Sequence, residues 1–103
     1  HFYRDILGLS VARTWAEGIM FETGAGLIEV FNNATETLLQ GTIRHFALVT
    51  DDVDECVKAV RTAGYEVFIE PKDIEIPSSP AFPARIAFCK GPLGEEIEFF
   101  QEK

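Results

Sequence analysis

A chain of 103 residues has the length of one small domain, and its apolar fraction of 47% is enough to bury a core. Asp and Glu number 17 against 9 Lys and Arg, a net charge of −8; this argues against a nucleic-acid partner, which needs clustered cations, and against a polybasic membrane surface. No apolar run approaches the ~20 residues of a spanning helix, no secretory leader is read, and Cys56 and Cys89, outside any CxxC spacing, read as reduced thiols of a cytoplasmic protein.

The chain opens on a helix. Phe2, Tyr3, Ile6 and Leu7 fall at helical spacing, and Gly8 is its expected stop. A helix at the first residue implies a strand before it, absent from this sequence. Ser10–Trp15 and Ile19–Glu22 read as short strands joined near Glu17-Gly18. Gly24-Ala25-Gly26 turns the chain into a strand at Leu27–Phe31, and Asn32–Gln40 reads as a polar connection. Thr42–Thr50 is the next strand, with Ile43, His45, Ala47 and Val49 on one face.

Asp52 followed by Glu55 has the pattern of a capping box. Val53, Cys56, Val57 and Val60 form the apolar stripe of a helix that stops at Gly64. Tyr65–Glu70 is expected to be a strand. The stretch Pro71–Pro83 holds four prolines and is expected to be looped or extended, since proline cannot donate to a sheet ladder. Ala84–Cys89 and Glu95–Gln101 close the chain as two strands joined by Gly91-Pro92-Leu93-Gly94.

Two stretches echo each other. Ile28-Glu29-Val30-Phe31 and Ile97-Glu98-Phe99-Phe100 each place a carboxylate between bulky apolar residues after a glycine turn. Gly8-Leu9-Ser10-Val11 likewise aligns with Gly64-Tyr65-Glu66-Val67. The repeat is about half a chain long, so it implies paired modules and not a solenoid. The expected division is one domain over 1–103, with a first module at 1–40 and a second at 41–103.

Three stretches in order carry a family resemblance: Phe2-Tyr3-Arg4-Asp5-Ile6-Leu7-Gly8-Leu9, Arg44-His45-Phe46-Ala47-Leu48-Val49-Thr50-Asp51-Asp52, and Gly91-Pro92-Leu93-Gly94-Glu95-Glu96-Ile97-Glu98-Phe99. Together they resemble the opening helix, the second-module opening strand and the final hairpin of the vicinal oxygen chelate superfamily (glyoxalase, bleomycin resistance protein, dioxygenase), and most of all glyoxalase I. The resemblance implies an α+β fold in which two βαβββ modules form an open-barrel cleft, here without the first strand of module 1. It implies a divalent metal held by Glu29, His45 and Glu98, with a fourth ligand on that absent strand. His1 precedes the helix and is not counted as a ligand.

A mixed nitrogen and oxygen donor set suits Zn²⁺ or Ni²⁺, and equally Co²⁺, Mn²⁺ or Fe²⁺, whereas Ca²⁺ prefers oxygen alone. A metal chelating adjacent substrate oxygens stabilises the enediolate left when a proton departs from the neighbouring carbon. Glu98, and after it Glu29, is the candidate to move that proton. The implied function is that of a metal-dependent lyase or isomerase like lactoylglutathione lyase, acting on a small molecule as a homodimer. Glu29 sets it apart from the extradiol dioxygenases, which use two His and one Glu, and from a thiol transferase of the fosfomycin-resistance type. A CoA-ester epimerase stays open, although Gln often takes the Glu29 position there. The other alternative is a metal-free protein of the bleomycin-resistance type that sequesters an antibiotic.

Plainer readings stand beside each choice. A strand His is commonly structural, and a strand Glu commonly faces solvent. Glu22 is read as solvated, Trp15 as strand packing, Arg13 and Arg85 as surface charges, and Cys56 as helix core. Cys89 beside Lys90 is read as buried, with a reactive thiol as the alternative. The loop Asp73–Pro83 is either a lid or a plain connection.

Overall fold

The computed structural model describes residues 1–37 and 41–103. The fold is α+β, with two sheets, one α-helix and no closed barrel among the described residues. Two compact units, His1–Leu38 and Leu39–Lys103, each hold one sheet. The last part of the expected connection Asn32–Gln40, residues 38–40, lies outside the described residues.

The first unit opens with a π-helical turn, Phe2–Ile6, in which Leu7 N–H donates to the carbonyl of Phe2. Gly8 leaves it at φ 74°, a left-handed conformation that costs glycine nothing. β1 (Ser10–Trp15), β2 (Gly18–Glu22) and β3 (Leu27–Phe31) then form an antiparallel sheet in chain order. β1 and β3 have the expected bounds. Phe2, Tyr3 and Phe21 are buried, and the Tyr3 ring lies 5.9 Å from that of Phe21. The side of β2 that carries Phe21 therefore faces the helical turn, and alternation puts Met20 and Gly18 on the opposite, open side.

The second unit is a full βαβββ module: β4 (His45–Val49), α1 (Val53–Thr62), β5 (Val67–Ile76), β6 (Phe82–Lys90) and β7 (Glu96–Glu102). The sheet order is β4-β7-β6-β5; β4 runs parallel to β7 and the other neighbours are antiparallel. α1 begins where the Asp52 side chain accepts from Glu55 N–H at 3.1 Å, the cap read in the sequence. Its stripe Val53, Val57 and Val60 is buried, and it packs on β5, β6 and β7 over Ala87, Cys89, Ile97 and Phe99.

Both modules share two irregularities beyond the sheet order. Gly64 leaves α1 at φ 92°, as Gly8 leaves the first turn. The ladder slips between Val11 and Arg13 in β1, and between Val67 and Ile69 in β5. Since Gly8–Val11 aligns with Gly64–Val67, the bulges fall at matching places, as a duplicated unit would have them.

The proline-rich stretch is extended, one of the two expected forms, and it is also paired. β5 continues to Ile76, and Asp73–Ile76 pairs with Phe82–Arg85 in a hairpin. Pro71 is tolerated because β5 is the edge strand and its ladder is broken between Ile69 and Lys72. Asp73–Pro83 is thus not an unpaired connection; only Pro77–Ala81 stands outside the strands. No described helix is long and apolar enough to cross a membrane.

Candidate functional site

Two contacts fix which way the second sheet faces. Arg85 reaches Asp54 on α1, and Gln101 Oε1 accepts from Val53 N–H at 3.0 Å. Arg85, Ala87 and Cys89 with Gln101, Phe99 and Ile97 therefore point to the helix. The alternate set, Ile86, Phe88 and Lys90 with Phe100, Glu98 and Glu96, occupies the open face. β4 joins that face through the register His45↔Glu96 and Ala47↔Glu98.

On this face His45 and Glu98 meet. His45 Nε2 lies 3.0 Å from Glu98 Oε1, although 53 residues separate them. The parallel pairing of β4 with β7 makes the contact possible. The side chains are 38% and 14% exposed, so the imidazole is open to solvent while the carboxylate is largely covered. Phe88 meets the His45 ring edge-on, with centroids 4.9 Å apart at 77°. Phe68 packs 5.7 Å from Phe88 and remains 36% exposed.

Glu29 belongs to the first module, and its neighbours there are clear. It lies opposite Met20 in the β2–β3 ladder, on the open side of that sheet. Phe31, two residues on, meets Trp15 edge-on at 5.9 Å. Glu29 is exposed and occupies in β3 the place that Glu98 occupies in β7, the third strand of each module's antiparallel run.

The donor pair fits one corner of a metal centre. Two ligands held about 2.1 Å from one tetrahedral or octahedral ion lie about 3.0–3.4 Å from each other, and His45 Nε2 and Glu98 Oε1 have that separation. A neutral imidazole nitrogen and a carboxylate oxygen are donors that Zn²⁺ and Ni²⁺ accept. Among the described residues, no group of three or more His, Cys, Asp or Glu side chains is gathered to hold an ion. The expected set thus divides into the pair His45–Glu98, which the second module builds by itself, and Glu29 in the first.

The remaining candidates resolve into structural roles. Cys89 is fully buried, and burial, with the charge of Glu95 adding to it, pushes its thiol up to about 12. It is core, and its neighbour Lys90 points to the opposite face. Cys56 is half-buried, and its Sγ donates to Thr50 Oγ1 at 3.3 Å. Arg85 is no free surface charge: it grips Asp54 through Nε and Nη2 at 2.9 and 3.0 Å and Asp73 through Nη1 at 3.1 Å. Trp15 packs across Gly18, where an added Cβ would lie 2.6 Å from the indole. Sequence reasoning missed Phe68 and Phe88, because which aromatic meets His45 depends on strand register, and the bulge after Val67 shifts that register.

Comparison with known proteins follows this geometry. A family model described as Glyoxalase/Bleomycin resistance protein/Dioxygenase superfamily matches residues 1–99. No curated protein matches the chain. Among solved structures, a glyoxalase/bleomycin resistance protein/dioxygenase from Alicyclobacillus acidocaldarius is 17% identical with a TM-score of 0.68, covering 98% of this chain and 78% of that one. A lactoylglutathione lyase from Agrobacterium tumefaciens is 18% identical with a TM-score of 0.64, over 97% and 80% of the two chains. An integron cassette protein from V. cholerae is 21% identical with a TM-score of 0.68, over 99% and 82%. At these identities the likeness is one of fold.

Proposed function

We propose that this chain, which belongs to the Glyoxalase/Bleomycin resistance protein/Dioxygenase superfamily, is a metal-dependent lyase or isomerase that moves a proton between adjacent carbons of a small α-hydroxycarbonyl compound such as a hemithioacetal. The observation that carries the reading is the His45–Glu98 pair at 3.0 Å on an open, aromatic-walled sheet face. His45 and Glu98, joined by Glu29 from the first module, would hold a divalent ion, Zn²⁺ or Ni²⁺ by donor type. When bound, such an ion supplies Lewis-acid stabilisation of negative charge on substrate oxygen.

The chain's own residues do the rest. The Glu98 carboxylate is only 14% exposed, so bulk water has little access to it, and a positioned carboxylate can carry a proton. Glu98 takes the proton from the substrate carbon, breaking that C–H bond, and returns it to the neighbouring carbon. Glu29 is the second candidate for this role. With an ion bound, His45 Nε2 would give its lone pair to the metal beside Glu98, and Phe88 holds the imidazole edge-on and keeps water from that side. The setting proposed is a cytoplasmic homodimer.

The test is turnover. Protein loaded with Zn²⁺ or Ni²⁺ should isomerise the hemithioacetal of methylglyoxal and glutathione. Glu98→Gln should lower kcat by about a hundredfold to ten-thousandfold, the usual contribution of a positioned proton carrier. A loaded, folded protein that turns over no hemithioacetal would end the lyase reading.

One observation favours a second reading, a metal-free protein that sequesters a cationic drug. Phe68, Phe88 and Phe100 share their face with Glu96 and Glu98 on a chain of net charge −8. Binding of bleomycin by metal-free protein, undiminished in His45→Ala, would select this reading.

A further inference from the structure

The open face of the second sheet carries more than one pair. A row of side chains crosses all four strands. Glu98 on β7 contacts His45 on β4, and His45 meets Phe88 on β6 with ring centroids 4.9 Å apart. Phe88 packs 5.7 Å from Phe68 on β5, and Lys90 Nζ lies 5.7 Å from the Phe68 centroid.

The row ends on a cation set over an aromatic ring. Arg85 is held by Asp54 and Asp73, Arg61 by Glu70 and Lys103 by Asp73. The Lys90 ammonium, by contrast, has the Phe68 ring and, among the described residues, no carboxylate partner. Glu96 stands opposite it in the ladder, yet the ammonium lies over the ring. A ring face engages an ammonium electrostatically but offers its N–H bonds no lone-pair acceptor. Lys90 is half-buried and Phe68 is exposed, so an incoming ligand can reach both.

We propose that Lys90, Phe68 and Phe88 form a specificity subsite for a carboxylate-bearing substrate. The carboxylate pairs with the Lys90 ammonium and the apolar body lies across the two rings. Lys90 and Phe88 are two residues apart on one strand, a spacing of about 7 Å, so a short apolar or aromatic spacer joins the anionic end to the group presented at His45–Glu98. Placing the reacting carbon at that pair rests on the lyase reading; recognition of the carboxylate and the ring does not.

The test is binding, independent of turnover. Phenylacetate and phenylacetamide differ in charge at nearly constant shape. Titrated into ¹⁵N-labelled protein, both should shift the amides of Phe68 and Phe88. Phenylacetate should bind about threefold to fivefold tighter, the scale of one partly exposed charge contact. Lys90→Met should erase that preference and leave the amide's affinity unchanged, while Lys90→Arg should keep it. Lys58→Met, on α1 and so on the other side of the sheet, serves as the control and should keep it as well. Equal affinities in the wild type, a preference that survives Lys90→Met, or shifts that avoid Phe68 and Phe88 would each overturn the proposal. Loss of hemithioacetal turnover with the preference intact would sink the lyase reading alone.

Discussion

Gly18 shows how one small residue shapes the first module. The Trp15 indole lies across it and meets Phe31 edge-on, beside the strand position that holds Glu29. A Cβ at residue 18 would sit 2.6 Å from the indole and 2.9 Å from the backbone oxygen of Val30; the indole can swing away, but the backbone cannot. Gly18→Ala is therefore expected to displace Trp15, and the chain has a single tryptophan to report it. The emission should move to the red with loss of the Phe31 contact, and an unchanged spectrum would contradict the packing described. At this scale much was legible. Glu29 and Glu98 stand out by repeated position, and the family resemblance adds His45. The aromatic neighbours of His45 and the free end of Lys90 were not legible, because a bulge between Val67 and Ile69 sets which β5 residue reaches the row, and no local pattern announces a bulge.

At the scale of elements, α1 is tied to the β5–β6 hairpin by charge as well as by its valines. Arg85 sits between Asp54 on the helix and Asp73 on β5, and Lys103 also reaches Asp73 at 3.0 Å. The Arg85 guanidinium holds the Asp54 carboxyl below its ordinary value, and Lys103 together with Arg85 does the same for Asp73. Groups whose folded pKa is depressed add stability above the ordinary value of 3.8 and lose it as pH falls through the folded value. Arg85→Met should therefore be less stable than wild type at neutral pH in urea unfolding. The gap should close as pH drops below the usual carboxylate range, and a gap independent of pH would refute the ionic account. The proline-rich stretch teaches the complementary lesson. Proline argues against a central strand, and its sequence pattern does not reveal that β5 is an edge where Pro71 meets no ladder. The strand bounds that were read correctly, Ser10–Trp15 and Leu27–Phe31, are those whose ends are marked by Gly or by a polar turn.

At the scale of the molecule, the chain is a duplicated design. Each module has a glycine exit in the left-handed region after its helical turn, a bulge one strand later and a glutamate in the last strand. The glutamates face the open side of each sheet, where they cost solvation if left unpaired and gain chemistry if they meet a partner. In the second module the partner is His45. The duplication is readable because it lies in the order of residues; the direct contact of His45 with Glu98 is not, because it forms through parallel pairing across 53 positions. The claim on which the account turns is that this pair holds a metal. The measurement that tests it most directly is metal content by elemental mass spectrometry, after exposure to Zn²⁺ or Ni²⁺ and removal of free ion, for the wild type, His45→Ala and Glu98→Ala. The account predicts about one divalent ion per wild-type chain, as a single mixed His–carboxylate centre would hold, and its loss in both variants. A wild type that retains no ion, or variants that retain it as well as the wild type, would contradict it.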